Sequence, residues 1–254
     1  MNKLVLTENF NKDKNFNFNS FIIEPLEIGQ GITLGNALRR ILLSDLTSFA
    51  ISGTRINNLK HEFSIIQGVR EDVLEILLNL KEIVIKNSFS MLSKINSFKS
   101  FPLKFKGYLN VKGPCVITAG LFNLPKSCLS IVNPNQYICT ITDNSELYME
   151  IDIEHGKGYK LSNYENNDIN NYLSNNKPST LLLDTIFIPV KKVNFKVKLI
   201  TDNYGNIKES LILDVLTNGS ITPKRSLQES LKILLNLTYP LLIGKNILNL
   251  LKIK

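Results

Sequence analysis

Hydrophobic and polar positions follow two rhythms along this chain, and each change of rhythm marks an element. Residues 21–28, FIIEPLEI, form an apolar run broken by Pro25 and read as a strand. A glycine turn, GQG at 29–31, follows it. The stretch ITLGNALRRILLSDL (32–46) then shifts to helical spacing, with Leu34, Leu38, Ile41, Leu42 and Leu46 on one stripe. Thr33 has the chemistry of an N-cap for that helix. On a helical wheel Asn36, Arg40 and Leu43 share the opposite side, and Arg39 sits at the edge of the stripe. Arginine and leucine together on the back of a helix suit a protein interface, where the guanidinium pairs with a carboxylate and the leucine fills a pocket.

A second helix is expected from Arg70 to Lys81, with Val73, Ile76, Leu77 and Leu80 as its apolar face. Glu71 and Asp72 fall in its first turn, where the helix dipole favours anions. From about residue 101 to 160 the rhythm is that of strands. In SELYMEIDIE (145–154) Leu147, Met149, Ile151 and Ile153 alternate with acidic residues and Tyr148. This reads as a half-buried strand with an acidic outer face, solvated or turned to a partner, and ended by the glycines of HGKGY (155–159). SNYENNDINNYLSNNKPS (162–179) reads as a surface loop or linker. In VNFKVKL (193–199) Val193, Phe195, Val197 and Leu199 point one way and Asn194, Lys196 and Lys198 the other. The turn DNYGN (202–206) folds this strand onto Leu211, Leu213 and Val215 as a hairpin. Thr222 and Pro223 have the N-cap and first-position chemistry of a last helix, whose apolar face is Leu227, Leu231, Leu234 and Leu235. Pro240 is expected to interrupt that helix, and a final apolar segment, ILNLLKI, occupies 247–253. The pattern predicts a domain made from both chain ends with a sheet-rich middle inserted into it.

Composition narrows the chemistry. The 254 residues are 43% hydrophobic and 20% charged, as in a globular chain of one large or two modest domains. The net charge of +8 permits a nucleic-acid or acidic partner, but the lysines are scattered and form no basic tail. Cys115, Cys128 and Cys139 are odd in number and form no CxxC pair, so they read as small apolar core residues. His61 and His155 have no carboxylate or cysteine at ligand spacing and read as structural or surface residues. GQGITLG departs from the dinucleotide fingerprint because its last glycine comes one residue too late, so its first two glycines are better explained as a tight turn. No phosphate loop, zinc-protease motif or nucleophile elbow occurs. The N-terminus has no apolar run of signal-peptide length, and no stretch reaches the ~20 apolar residues of a membrane span. These observations lead to the expectation of a chain with no catalytic residues, cofactor or metal of its own.

FIIEPLEIGQGITLGNALRRILLSDL followed by HEFSIIQGVREDVLEILLNLK resembles the alpha subunit of bacterial-type RNA polymerase. YICTITD with the acidic strand and HGKGY, then LLLDTIFIPVKKVNFKV, then LILDVLTNGSITP, resemble the same family in the same order. The resemblance implies an α+β chain of two domains: a dimerisation domain from residues 1–47 and 176–254, and an inserted domain from 48–175. It implies a homodimer paired through Leu34, Leu38, Ile41, Leu42, Leu227, Leu231 and Leu234. It implies contacts to the beta subunit by Arg40, Leu43 and Glu75, and to the beta-prime subunit by Lys81, Leu183 and Val190. The expected role is a non-catalytic assembly platform for the polymerase, an enzyme only as a complex. Sigma factor and promoter DNA are reached only through that complex, and no membrane is involved. The family's C-terminal DNA-binding domain is expected to be missing. Heavy use of Asn, Lys, Ile and Leu indicates an AT-biased genome, and under the resemblance that bias with a shortened alpha suits a plastid-encoded polymerase, with a bacterial cytoplasm as the alternative.

Overall fold

Strands dominate the computed structural model, which describes residues 5–9, 17–57, 59, 61–87, 104–125, 128–162, 180–202 and 205–242. The chain divides into two compact units, Met1–Leu46 with Ile188–Lys254, and Thr47–Phe187. The second crossing therefore falls later than residue 176. Its cause is main-chain pairing: β11 (Leu181–Leu182) bonds to β3 (Thr47–Ile56), and β12 (Thr185–Ile186) bonds to β10 (Tyr159–Lys160). The architecture is sheet-rich α+β.

The first unit holds an antiparallel sheet in the order β1 (Val5–Asn9), β2 (Phe18–Leu26), β14 (Ile207–Thr217), β13 (Val190–Thr201). The expected hairpin is formed by β13 and β14, with Gly205 at a positive φ in its turn. Two helices cover the sheet: α1 (Gln30–Ser44) packs on β13 and β14, and α3 (Pro223–Leu242) packs on α1. Phe21, Leu38, Leu42, Leu211, Leu213 and Val215 are all fully enclosed between them.

The start of α1 is set by a residue far away in sequence. The helix begins at Gln30, and Thr33 does not cap it. Glu209 of β14, a buried carboxylate, accepts the backbone N–H of Gly29 at 2.9 Å and of Gly31 at 2.8 Å. It thereby satisfies donors that a helix N-terminus leaves free, and it brings a negative charge to the positive end of the dipole. Thr33 instead donates its hydroxyl to the Gly29 carbonyl at 3.0 Å. The glycines of GQGITLG now have separate reasons. Gly29 has φ +89°. A Cβ on Gly31 would lie 2.8 Å from Glu209 Oε2, and one on Gly35 would lie 2.6 Å from the ring of Phe195. Gly31 and Gly35 thus permit the helix to lie close on the sheet.

In α3 the expected start holds, with Thr222 Oγ1 accepting the Arg225 N–H at 3.4 Å. Ser226 and Ser230 are buried and donate their hydroxyls to the carbonyls of Pro223 and Leu227. The helix passes through Pro240 to Leu242 instead of stopping, since a proline this close to the end removes one of the last helical bonds only. Residues 247–253 lie outside the described residues, as does 163–179 of the Asn-rich stretch.

The second unit is built on a sheet in the order β5 (Lys104–Lys112), β9 (Glu146–Lys157), β3, β4 (Ile85–Asn87), β7 (Leu129–Ile131). A separate pair joins β6 (Cys115–Thr118) to β8 (Tyr137–Ile141). Leu147, Met149, Ile151 and Ile153 of β9 are buried, as the alternation requires. The strand runs on past His155 and Gly156, and the turn comes at Gly158, which has φ +70°. Gly156 serves packing, because a Cβ there would lie 2.7 Å from the Phe187 ring. The acidic outer face of β9 is neutralised within the unit: Glu150 pairs with Lys106 and Arg55, Asp152 with Arg55, and Glu154 with Lys104 and Lys160. The hydrogen bond from Lys106 is the largest influence holding the Glu150 carboxyl below its ordinary range. For Glu154 burial pushes the carboxyl up, and the bonds from Lys160 and Lys104 outweigh it.

Helix α2 (Val73–Lys81) begins later than Arg70, which removes Glu71 from its first turn. Glu71 is buried and accepts hydrogen bonds from the Tyr137 hydroxyl, from Thr140 N–H at 2.7 Å and from Arg70 Nε at 2.8 Å. It therefore ties the entry of α2 to β8. Burial raises its carboxyl, but the three donors outweigh burial and hold it below the ordinary value. All three cysteines are free thiols; burial pushes the Cys139 thiol up to about 12, while Cys115 and Cys128 are half-buried. His61 Nδ1 lies 3.1 Å from Ser64 Oγ, and the His155 ring packs 4.8 Å from that of Phe49.

Two predictions follow from this packing. Gly35→Ala should destabilise the protein by about 1–3 kcal/mol, read as a fall in Tm, because the methyl group overlaps the Phe195 ring. Adding Phe195→Leu should recover part of that loss, and an unchanged Tm in Gly35→Ala would refute the close approach. The depressed carboxyls of Glu71, Glu150 and Glu154 stabilise the fold above their unfolded-state pKa, and that stability is lost as pH falls through their folded values. Glu71→Gln should cost about 1–3 kcal/mol at neutral pH and flatten the loss of stability as pH falls below the ordinary carboxylate range. Acid titration of Tm checks this, and an unaltered slope would contradict it.

Candidate subunit interfaces

The residues expected at a pairing face separate by burial into two sets. Leu38 and Leu42 have no accessible surface in the chain's own fold, and Leu227 and Ile41 have almost none. Leu34 and Leu234 are partly covered. The sequence pattern marked all of them as apolar without separating those closed inside the core from those left open. The accessible members are farther along α3. Leu231 is 38% exposed, Leu235 61% and Leu237 66%, and Tyr239 is also exposed. In its first turns α3 is anchored by Leu227 between buried Ser226 and Ser230; beyond Leu231 it presents leucines to solvent. On α1, Ile32 is exposed as well.

The back of α1 is as the wheel has it, with one change. Asn36, Arg39, Arg40 and Ser44 are exposed, but Leu43 is partly buried and packs against the core. Sheet and α3 both pack on α1, so the covered arc is wider than a single stripe. Arg40 is thus the fully accessible member of the expected Arg40 and Leu43 pair.

Glu75 belongs to the second unit and is exposed on α2. Its neighbours Leu74 and Leu78, four residues apart, are exposed on the same side of the helix, 43% and 61%. Phe63 and Ile65, in the loop before α2, are exposed too. Sequence reasoning passed over these four. Leu74 and Leu78 fall off the buried stripe of Val73, Ile76, Leu77 and Leu80, and that off-stripe spacing was the available signal.

Lys81, at the end of α2, lines a small cleft with Ala50, Ile51, Asp184, Thr185 and Ile186. Asp184 accepts the N–H of Ser162 at 2.9 Å and its hydroxyl at 2.8 Å. The Ser162 N–H is the first influence that lowers the Asp184 carboxyl, followed by the Ser162 hydroxyl, the Tyr159 hydroxyl and the charge of Lys81. Ile186 of this cleft is exposed, as are Tyr159 and Leu161, and Tyr159 stands opposite Ile186 in the β10–β12 pairing. Leu183 and Val190 are both buried, the first in the core of the second unit and the second in that of the first. Each keeps only a few per cent of its surface accessible in the single chain. Among the described residues no three His, Cys, Asp or Glu side chains are grouped to hold a metal ion, and no helix is long and apolar enough to cross a membrane.

Comparison with known proteins places the chain in a family. Residues 54–188 match the family model of the RNA polymerase Rpb3/RpoA insert domain, a range close to that of the second unit. The chain is 46% identical over 224 residues to the DNA-directed RNA polymerase subunit alpha of Rhodomonas salina, covering 88% of this chain and 65% of that protein. It is 46% identical over 231 residues to that of Phaeodactylum tricornutum, covering 90% and 67%. Against that of Cyanophora paradoxa it is 44% identical over 223 residues, covering 88% and 64%. The chain thus spans about two-thirds of the length of these relatives, which come from plastid genomes of algae. With the insert-domain match over residues 54–188 and these identities over about nine-tenths of its length, the chain belongs to the RNA polymerase alpha-subunit family.

Proposed function

We propose that this chain is the dimerising, platform-forming part of the alpha subunit of a plastid DNA-dependent RNA polymerase. Two copies pair through α1 and α3, and the pair recruits the beta and beta-prime subunits. The observation that carries this reading is the apolar outer half of α3, where Leu231, Leu235 and Leu237 stay exposed although Leu227 of the same helix is buried. A self-complementary face of this kind is satisfied by a twofold copy of itself. Arg40 supports a beta contact because it is exposed on α1. Glu75, flanked by exposed Leu74 and Leu78, supports a second one, with apolar anchors around a charge. Lys81 and Asp184 with Tyr159, Leu161 and Ile186 support the beta-prime contact in the same manner. Catalysis, on this reading, belongs to the large subunits; this chain supplies geometry.

Two outcomes are expected. Light scattering at micromolar concentration should give a dimer for the native chain and a monomer for Leu231→Lys/Leu235→Lys, with helical content unchanged. A native chain that stays monomeric would end the proposal. Arg40→Ala should leave the dimer intact and weaken co-purification with the beta subunit by about tenfold, or roughly 1.4 kcal/mol. Loss of the dimer in that variant would show that the outer side of α1 is wrongly assigned.

A further inference from the structure

Strand β13 carries a feature that neither the helices nor the clefts use. It is an edge strand: among the described residues it pairs with β14 alone, over eleven residue pairs from Val190 to Thr201. Its other side therefore presents a row of backbone N–H and C=O groups. Its two faces are strongly unlike. On the face away from the helices stand Lys192, Lys196 and Lys198, all exposed. Their neighbours across on β14 are Leu216, Ile212 and Ser210, none acidic. The nearest acid in register, Asp214, faces Asn194 and already accepts the Ser20 hydroxyl at 2.6 Å. On the helix face the apolar row opens progressively. Val193 is buried, Phe195 and Val197 are half-covered, and Leu199 is 69% exposed.

Lysines on an edge are a known guard against unwanted strand pairing. A guarded edge has no need of an unfinished apolar row beside it, and this strand has both. We propose that the free edge of β13 docks an extended polypeptide segment in which acidic and apolar residues alternate. The added strand takes up the open backbone groups. Its acidic side chains face Lys196 and Lys198, two residues and about 7 Å apart. Its apolar side chains, on the other face, cover Phe195, Val197 and Leu199. The pairing is strand addition, with main-chain bonds for affinity and alternate side chains for selection. It holds whether or not α1 and α3 join two copies, so failure of one reading leaves the other standing.

The test uses the full chain and a labelled nonapeptide of alternating glutamate and valine, followed by fluorescence anisotropy. The alternating peptide should bind about tenfold more tightly than one of equal composition with its glutamates and valines in separate blocks. Lys196→Glu/Lys198→Glu should weaken it by about tenfold or more. Hydrogen exchange should show alternate amides of residues 193–199 protected on binding, a readout that does not depend on the variant's folding. Equal binding of the blocked peptide, displacement by a single-stranded oligonucleotide at equal affinity, or no binding with no change in exchange would each overturn the proposal. In the last case the lysines only guard the edge.

Discussion

The carboxylate of Glu209 at the N-terminus of α1 is the contact on which the first unit depends. It joins a residue of β14 to a helix 178 residues earlier in the chain, across the whole of the second unit in sequence. Its two hydrogen bonds fix where the helix begins and at what height it meets the sheet. That position is then used twice. Gly31 and Gly35 let the helix sit close over Val197 and Phe195, and the stripe of Leu38 and Leu42 closes the core. A carboxylate buried without such donors would be costly, so the contact also works in reverse: the helix end makes Glu209 tolerable inside.

A consequence reaches the surfaces. Because α1 and the first turns of α3 spend their best apolar residues on their own core, what they leave exposed is mainly Ile32, Asn36, Arg39 and Arg40 on α1 and the outer leucines of α3. The same division holds in the second unit. Ile76, Leu77 and Leu80 of α2 are buried, and Leu74, Glu75, Leu78 and Lys81 are left outside. A chain with a structural role in a larger assembly is expected to show this pattern: each helix has an inner stripe that makes the fold and an outer one that does not.

Charges in the second unit are arranged to stabilise the fold. The outer face of β9 looks acidic in sequence, yet each of its glutamates after Tyr148 has a basic partner on an adjacent strand or turn. Glu71 is a further case, since a residue placed to favour a helix dipole instead bridges to Tyr137 and Thr140. Both depend on residues distant in sequence. The lysines of β13 differ in having no acidic neighbour across on β14, and among the described residues that strand pairs on one side only.

Much of the architecture was legible from periodicity. The alternation of β9, the β13–β14 hairpin, the stripe of α1 and the Thr222-Pro223 start of α3 all rest on neighbours within a few residues, and local spacing encodes them directly. The misses share one cause. Thr33 gave way to Glu209 as the cap, Glu71 left its helix for a network, and the β9 strand ran on through His155, Gly156 and Lys157, with Gly156 close against the Phe187 ring. In each case a group brought close by tertiary packing supplied a better partner than the local one. Likewise the sequence marked Leu38, Leu42, Leu227, Leu183 and Val190 as apolar, but could not say whether each was closed in or left open. The sequence by itself determined which residues are hydrophobic, where most elements form and to which family the chain belongs. Only the tertiary structure decided which side of each element is exposed, because burial depends on how segments distant in the chain pack together.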